Sequence, residues 1–393
     1  MPLGLYLSVP FCRTKCSYCN FASDVFSKAV FQRYVDRVCN QLDHAAESAN
    51  EMGGRFERAV DSVYLGGGTP TVLASSELER IFAAVRKNFD LVPDAEITVE
   101  CAPGTLSDTM IETLLRCGVN RVSLGVQSFV DVEAAAVGRL HKRATVLDDI
   151  SRLRNAGIAD INVDLIAGLP HQSMESWLIS LGEVLSLGVR HASVYMLEVD
   201  EDSRLGRELI AGGTKYHAHF VPDEDLVVDL YEVACEQLGA AGVRQYEISN
   251  FAREGRESRH NLKYWTRQPY LGFGVDAHSM LKSSVVTGEA VRFATADGLE
   301  EYVAGAVVKR TAVSRQEALE EAFFLGLRLA RGVDLPSLGA EFGADAVRSY
   351  DSVITDLVDA GLLEKIDVSI RLTPRGRMLS NEVFERFLSQ PAK

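Results

Sequence analysis

Six short apolar or β-branched runs constrain this chain most: LYLSV at 5–9, SVYLG at 62–66, EITVEC at 96–101, RVSLGV at 121–126, INVDLIAG at 161–168 and ASVYML at 192–197. Longer amphipathic stretches separate them, at 29–46, 75–88, 107–116, 145–155 and 174–187. Parallel strands cannot be joined by tight turns, so this alternation is the pattern of a parallel sheet with crossover helices. Gly118, Gly157 and Gly188 stand where three of those helices end, a position that favours a left-handed backbone. The expected fold is α/β, a partial (β/α)6 TIM-like barrel.

In parallel β/α barrels the residues that do chemistry come from the carboxyl ends of strands. A cysteine-rich loop follows the first run, GGGTP at 66–70 follows the second, and Glu100 closes the third. Gln127 follows the fourth, Asp164 lies in the fifth and Glu198 follows the sixth. All six features point to one rim.

The cysteine loop, VPFCRTKCSYCNF, carries Cys12, Cys16 and Cys19 in CxxxCxxC spacing. Three thiolates on a cubane cluster leave one iron without a protein ligand, because full ligation takes four. A closed zinc site would want a fourth Cys or His at short spacing. A disulfide framework would want an oxidising compartment, and the chain's seven cysteines are odd in number, with Cys39, Cys101, Cys117 and Cys235 scattered. The cluster reading fits the spacing better than either.

Gly66, Gly67 and Gly68 would let a ligand approach the backbone closely, with Thr69 beside them. Glu100 and Asp164 can each accept hydrogen bonds from a diol or an amino group, and Gln127 and Arg139 extend the polar lining. Tyr6, Tyr18 and Phe21 flank the cysteines, where aromatic rings would shield a cluster or stack on a base; core packing is the equal alternative. RHNLKYW sets His260 beside Tyr264 and Trp265, which suits an axial ligand with an apolar face for a planar metal macrocycle, although a packed loop histidine explains the same letters. His217 and His219 in KYHAHF are weak metal candidates. GFGVDAHSM at 272–280 reads as a glycine-rich turn with His278 as a polar contact.

The chain has 393 residues, 47% of them hydrophobic, enough for one large α/β unit and a smaller one. Its formal charge of −14 argues against a general nucleic-acid binder, since phosphate contacts need clustered Lys and Arg. No apolar run reaches membrane-spanning length, and the opening MPLGLYLSVPFC reads as a first strand of a cytoplasmic protein. From 313 onward helix, turn, helix and a short hairpin suggest a winged-helix-like α+β module. Ten Lys or Arg against thirteen Asp or Glu there favour packing or partner docking over DNA reading. The expected division is 1–225, 226–312 and 313–393.

YLSVPFCRTKCSYCNF, YLGGGTPT, EITVECAPGT, GVNRVSLGVQSF, GRLHKR, INVDLIAGLPHQS, YEISNFA, HNLKYW and GFGVDAH together resemble the oxygen-independent coproporphyrinogen III dehydrogenase family of radical S-adenosylmethionine (SAM) proteins, over nearly the whole chain. Dehydrogenases of that family look like CxxxCxxCxC after a long N-terminal extension. Here Phe21 takes the place of the last cysteine and eleven residues precede Cys12, which resembles the family's heme chaperone branch, as does the HNxxYW pattern.

The resemblance implies a 4Fe-4S cluster on Cys12, Cys16 and Cys19 with SAM on the open iron. It implies SAM contacts at Tyr6, Tyr18, Phe21, Gly67, Gly68, Thr69, Glu100, Gln127, Arg139 and Asp164, with Glu198 and His278 beside them. It also implies heme held near His260, Tyr264 and Trp265 for delivery to acceptor proteins, membrane-associated ones included, and it is compatible with a homodimer. Ser8 departs from the pattern, which commonly has His there. The competing functions are a true dehydrogenase or other radical SAM enzyme, and an interaction module with a vestigial cluster.

Overall fold

A computed structural model describes residues 1–201, 203–286, 289–306 and 308–388. Six strands run parallel in chain order: β1 (Leu3–Val9), β2 (Ala59–Gly67), β3 (Asp90–Cys101), β4 (Arg121–Gln127), β5 (Asp160–Ala167) and β6 (His191–Met196). Helices Ser75–Asn88, Asp108–Arg116, Arg143–Asn155 and Met174–Leu187 fill the crossovers. Ser107 and Ser173 cap two of them by accepting from backbone N–H groups of Met110 and Ser176. Gly188 ends the last with φ 58°. The helix expected at 29–46 is broken instead, into Phe31–Asp43 and Ala45–Glu51, with His44 between them.

The sheet extends beyond the six runs. Antiparallel β7 (Arg244–Glu247) and β8 (Asn250–Ala252) continue it past β6, with β8 against β6. On the other flank β9 (Tyr270–Gly274) lies parallel to β1, followed by antiparallel β10 (His278–Lys282), β11 (Ala290–Ala294) and β12 (Lys309–Val313). The glycine-rich segment read as a turn is therefore mostly strand. Its glycines serve close backbone approach: a Cβ on Gly274, at φ +100°, would lie 2.2 Å from the Ser8 carbonyl oxygen.

Strand alternation sorts β1 into two faces. Leu3, Leu5, Leu7 and Val9 are fully buried in the main hydrophobic cluster. Gly4, Tyr6 and Ser8 alternate with them and pair in register with Ser62, Tyr64 and Gly66 of β2. The same alternation gives Glu96, Thr98 and Glu100 on β3, Ser123 and Gly125 on β4, and Asn162 and Asp164 on β5. This face is polar, where a filled barrel would place branched aliphatic residues.

The C-terminal residues form a three-stranded sheet, β13 (Val333–Asp334), β14 (Leu363–Ile366) and β15 (Ser369–Leu372), in the order β13-β15-β14. Helices Arg315–Leu327 and Asp351–Asp359 pack on it around Phe323, Tyr350 and Phe387. That core also takes in Tyr270, Met280 and Ala290 from the large sheet. Glu321 ties the two together by accepting from Nε of Arg267 and Nε of Arg292, each at 2.9 Å. The side chains of Arg267 and Glu321 are 4% and 13% exposed.

Removing one partner of a buried ion pair strands the other charge. Glu321→Ala should cost about 3 kcal/mol in urea unfolding, whereas Glu300→Ala, which breaks the exposed pair with Arg33, should cost less than about 1 kcal/mol.

Candidate cofactor cleft

The cysteine loop leaves β1 at the carboxyl rim and is pinned along its length. Cys12 N donates to Asp24 O, Ser17 N to Val137 O, and Lys15 Nζ to the carbonyls of Phe21 and Ser23 at 2.7 and 2.6 Å. All three thiols are free. Thr69 Oγ1 donates to Cys12 Sγ at 3.9 Å and Arg139 Nη1 to Cys16 Sγ at 3.5 Å. Burial pushes the Cys12 thiol up, and the neighbouring Cys19 and Cys16 add to the rise. Among the described residues no three His, Cys, Asp or Glu side chains are grouped for a single metal ion. A cubane makes a different demand, one thiolate per iron.

Gly66, Gly67 and Gly68 bring the end of β2 onto this loop. Their amides do not wait for a ligand: Gly67 N donates to Glu100 Oε2 at 3.1 Å, Gly68 N to Val9 O and Thr69 N to Phe11 O, both at 2.7 Å. What the glycines supply is the missing Cβ. One on Gly68 would sit 2.7 Å from Phe11 O, 2.9 Å from Val9 O and 3.0 Å from Cys12 Sγ.

Glu100 accepts from Tyr64 Oη at 2.8 Å as well as from Gly67 N. Burial, with Asp164 nearby, raises its pKa to about 7 against those two bonds. Asp164 accepts from Ser123 Oγ at 3.0 Å and Asn162 Nδ2 at 2.7 Å, and burial raises its pKa too. Gln127 ends β4 at φ +69°, a costly conformation for a residue other than glycine, and its Oε1 is buried without a partner. Ideal Cβ placement on Gly125 meets both Gln127 and Arg139, so these two side chains meet above β4. Arg139 also donates to the Gly125 carbonyl. An orphaned acceptor, two half-buried carboxylates and three sulfurs on one rim fit a charged, amino- and hydroxyl-bearing cofactor beside a thiolate-held cluster.

The other expected contacts divide. Tyr18 is half-buried against Val137, Ile166 and Leu169. Phe21 is 65% exposed on the loop, so core packing does not explain it. Glu198 and His278 are exposed at the edge, His278 3.6 Å from Asp276. Ser8 is buried, its carbonyl accepting from Tyr34 Oη at 2.6 Å. Tyr6 points inward rather than at the loop, with its ring 6.2 Å from that of Tyr64.

The HNLKYW segment is a helix, Arg259–Trp265, and it closes the opposite end of the barrel. Its first turn is held by Glu96, which accepts from the N–H groups of Arg259 and His260. Buried Lys263 reaches Asp61 at 2.7 Å and Pro2 O at 3.0 Å. His260 is 1% exposed, with Nδ1 3.0 Å from Ser62 Oγ and Nε2 2.8 Å from Tyr264 Oη. Burial, then Lys263, depresses its pKa to about 3. Ser62 lies four residues before Gly66 on β2, so this layer is about 13 Å below the rim at ordinary strand rise. Both ring nitrogens of His260 are thus hydrogen-bonded to hydroxyl groups, and Tyr264 is one of the partners. Trp265 instead packs under the Arg328 guanidinium, 4.5 Å from its ring centre. Tyr64 and Ser62, which join rim to floor, were missed in the sequence; their alternation with buried Val63 and Leu65 was the available signal.

A model described as the radical SAM superfamily matches residues 6–181, and one described as the HemN C-terminal domain matches 313–379. Proteins named heme chaperone HemW are similar end to end. That of Bacillus subtilis (strain 168) is 33% identical, covering 98% of this chain and 99% of its own length. That of Lactococcus lactis subsp. lactis (strain IL1403) is 32% identical, covering 98% and 97%. The chain belongs to the HemW family. Its radical SAM fold also matches the coproporphyrinogen III oxidase HemN from Escherichia coli, with TM-score 0.83 and 24% identity over 98% of this chain and 90% of that one. The radical SAM membership implies a 4Fe-4S cluster and SAM, which the rim described above fits. No described helix of this HemW-family chain is long and apolar enough to cross a membrane.

A carboxyl raised from its ordinary value to about 7 stabilises the fold most below pH of about 4.5, and that contribution is lost as pH rises through about 7. Subtracting the thermal-stability profile of Glu100→Gln from that of the wild type should leave a falling slope across this window. A flat difference would mean that Glu100 titrates normally.

Proposed function

We propose that this chain is a heme chaperone, binding heme and passing it to acceptor proteins on a radical SAM core. The observation that carries the reading is likeness, at 30% identity or more and over 98% or more of this chain, to proteins named heme chaperone, among them that of Escherichia coli (strain K12). Phe21 agrees with it, since the dehydrogenase pattern places a cysteine there. The likeness to the coproporphyrinogen III oxidase structure speaks for the fold alone.

In this reading Cys12, Cys16 and Cys19 hold the cluster, with Arg139 and Thr69 donating to two of the sulfurs and so favouring their anionic form. Gly66, Gly67 and Gly68 leave the room that side chains would fill, and Gln127, Glu100 and Asp164 face the polar groups of SAM. Tyr18, Phe21, Glu198 and His278 border the same space. With SAM on the fourth iron, the cluster supplies one-electron chemistry. Helix Arg259–Trp265 supports the cleft from below: His260 and Tyr264 buttress Tyr64, which orients Glu100. The chaperone acts in the cytoplasm, its acceptors include membrane-associated proteins, and a homodimer is consistent with it. The segments 1–225, 226–312 and 313–393 are our working division.

The test is anaerobic. Reconstituted wild type should show a cluster spectrum that Cys16→Ala loses, bind heme saturably, and form no protoporphyrinogen from coproporphyrinogen III with SAM and a strong reductant. Product at catalytic turnover would make the chain a dehydrogenase. Gly68→Ala should reduce cluster incorporation while the C-terminal core unfolds normally, because the added methyl meets Cys12 Sγ and backbone that cannot move aside.

A further inference from the structure

The large sheet does not close on itself: β7 and β12 are its ends. The C-terminal core crosses the gap. Its hydrophobic cluster takes in Ile248, from the turn between β7 and β8, on one flank and Tyr270, Met280 and Ala290 on the other. Arg328 sits at this crossing. It caps helix Arg315–Leu327 at the C-terminal end, and its carbonyl accepts from Ile248 N at 3.1 Å. Its guanidinium lies 4.5 Å from the ring centre of Trp265, the last residue of the floor helix, and 5.8 Å from that of Phe384.

What this cation lacks is an acceptor. Among the described residues its side chain makes no ion pair and no hydrogen bond, and its Nε is buried without a partner. Trp265 Nε1, in the ring beneath it, is also buried without one. The carboxylates whose charge Arg328 feels are Glu247 and Glu198. Glu247 is already engaged, accepting from Ser249 N at 3.1 Å and from Asn250 Nδ2, and Glu198 is exposed at the rim. An enclosed donor without an acceptor is costly, and a guanidinium more so than a neutral group. Two such donors in one stack call for an acceptor that arrives with a ligand.

The cleft reaches this place. Tyr195 shares the inward face of β6 with Ser193, whose hydroxyl is bonded to Asn250 at 2.9 Å, yet Tyr195 is 42% exposed. Asp164 and Glu247 both act on its hydroxyl, so the interior is open beside Glu247 rather than packed.

The geometry points to Arg328 as the anchor for a carboxylate of the cargo, at the junction of the C-terminal core with the floor helix. The inference rests on the chaperone reading and assigns no iron ligand. Heme is a flat apolar ring with ionised carboxylates along one edge, and that edge needs cationic N–H donors wherever it leaves water. Arginine suits the task because its planar fork can meet both oxygens of one carboxylate and stays charged when enclosed. The rings of Trp265 and Phe384 already fix the plane of the guanidinium, so little side-chain freedom is lost when the carboxylate arrives. Arg139 is not available for this, being committed to Cys16 Sγ and the Gly125 carbonyl. Glu100 and Asp164 face the same interior and offer a carboxylate no compensating charge. Arg328 thus also decides which way round the macrocycle enters, carboxylate edge toward the C-terminal core. Since Arg328 belongs to that core and Trp265 to the barrel, cargo held here spans their junction.

The experiment titrates hemin and, separately, hemin dimethyl ester, whose carboxyls carry no charge, into the full-length reconstituted protein, followed by the Soret band. The proteins compared are wild type, Arg328→Gln and Arg328→Lys. Wild type should bind hemin about tenfold or more tighter than the ester, the size of a charge-assisted hydrogen bond. Arg328→Gln should weaken hemin by that factor, leave the ester unchanged and keep the Soret position, since no iron ligand is touched. Arg328→Lys, a point charge without the fork, should keep only part of the preference. If wild type binds both ligands alike, if Arg328→Gln keeps the preference, or if it weakens both ligands equally, Arg328 supports the fold without reading a carboxylate; the inference is then wrong and the chaperone reading stands. Should Arg328→Gln fail to fold, Arg328→Lys decides by the same ratio, an undiminished preference overturning the inference. If wild type itself fails to bind hemin, the chaperone reading falls and the inference with it.

Discussion

The architecture turns on a close approach of two backbones at the barrel rim. Where β2 ends, Gly68 and Thr69 donate to carbonyls of Val9 and Phe11 as the chain leaves β1. Hydrogen bonds of 2.7 Å between these segments leave no space for a Cβ at Gly68, whose nearest neighbours include Cys12 Sγ. The cysteine loop is thereby given a rigid base, and its far end is closed by Asp24, Lys15 and Val137. Three thiols that would repel one another as thiolates are held together before any cluster arrives. The folded chain bears part of the ordering entropy that cluster binding would otherwise carry.

Below that rim the barrel interior is a stack of hydrogen-bonded layers rather than a packed aliphatic core. Gly67 N and Tyr64 donate to Glu100, while Tyr6, Tyr64 and His260 lie ring against ring down to the helix that closes the floor. Asp164, Ser123, Asn162, Ser193, His191 and Asn250 form a second such column. Buried polar groups are costly unless satisfied, so these columns fix one arrangement of side chains. Among the buried groups left without a partner, Gln127 Oε1 is at the top, where a cofactor would complete it. Floor and rim are one network, and His260 takes part in it as a support.

Much of this was legible in the letters. Strand alternation, crossover helices and the order of polar residues after successive strands placed Cys12, Gly68, Glu100, Gln127 and Asp164 on one rim, because each depends on local periodicity. The seventh parallel strand, on the other side of β1, was not legible: YLGFG carries glycines that resemble a turn, and only contact with Ser8 and His278 explains them. The surroundings of HNLKYW were not legible for a related reason. Its histidine and aromatics look like a ligand set in isolation, and what they touch is decided by Ser62 and Tyr64, some 200 residues earlier in the chain.

The sequence by itself determined the βα repeat, the thiol spacing and the family, since these reside in neighbouring residues and their periods. Only the tertiary structure decided which polar groups are spent and which are open. His260 and His217 are the same residue type, each beside aromatic letters; one is enclosed with both nitrogens bonded, the other stands at the surface beside His171. Burial and hydrogen-bond satisfaction depend on long-range packing, and no local pattern encodes them.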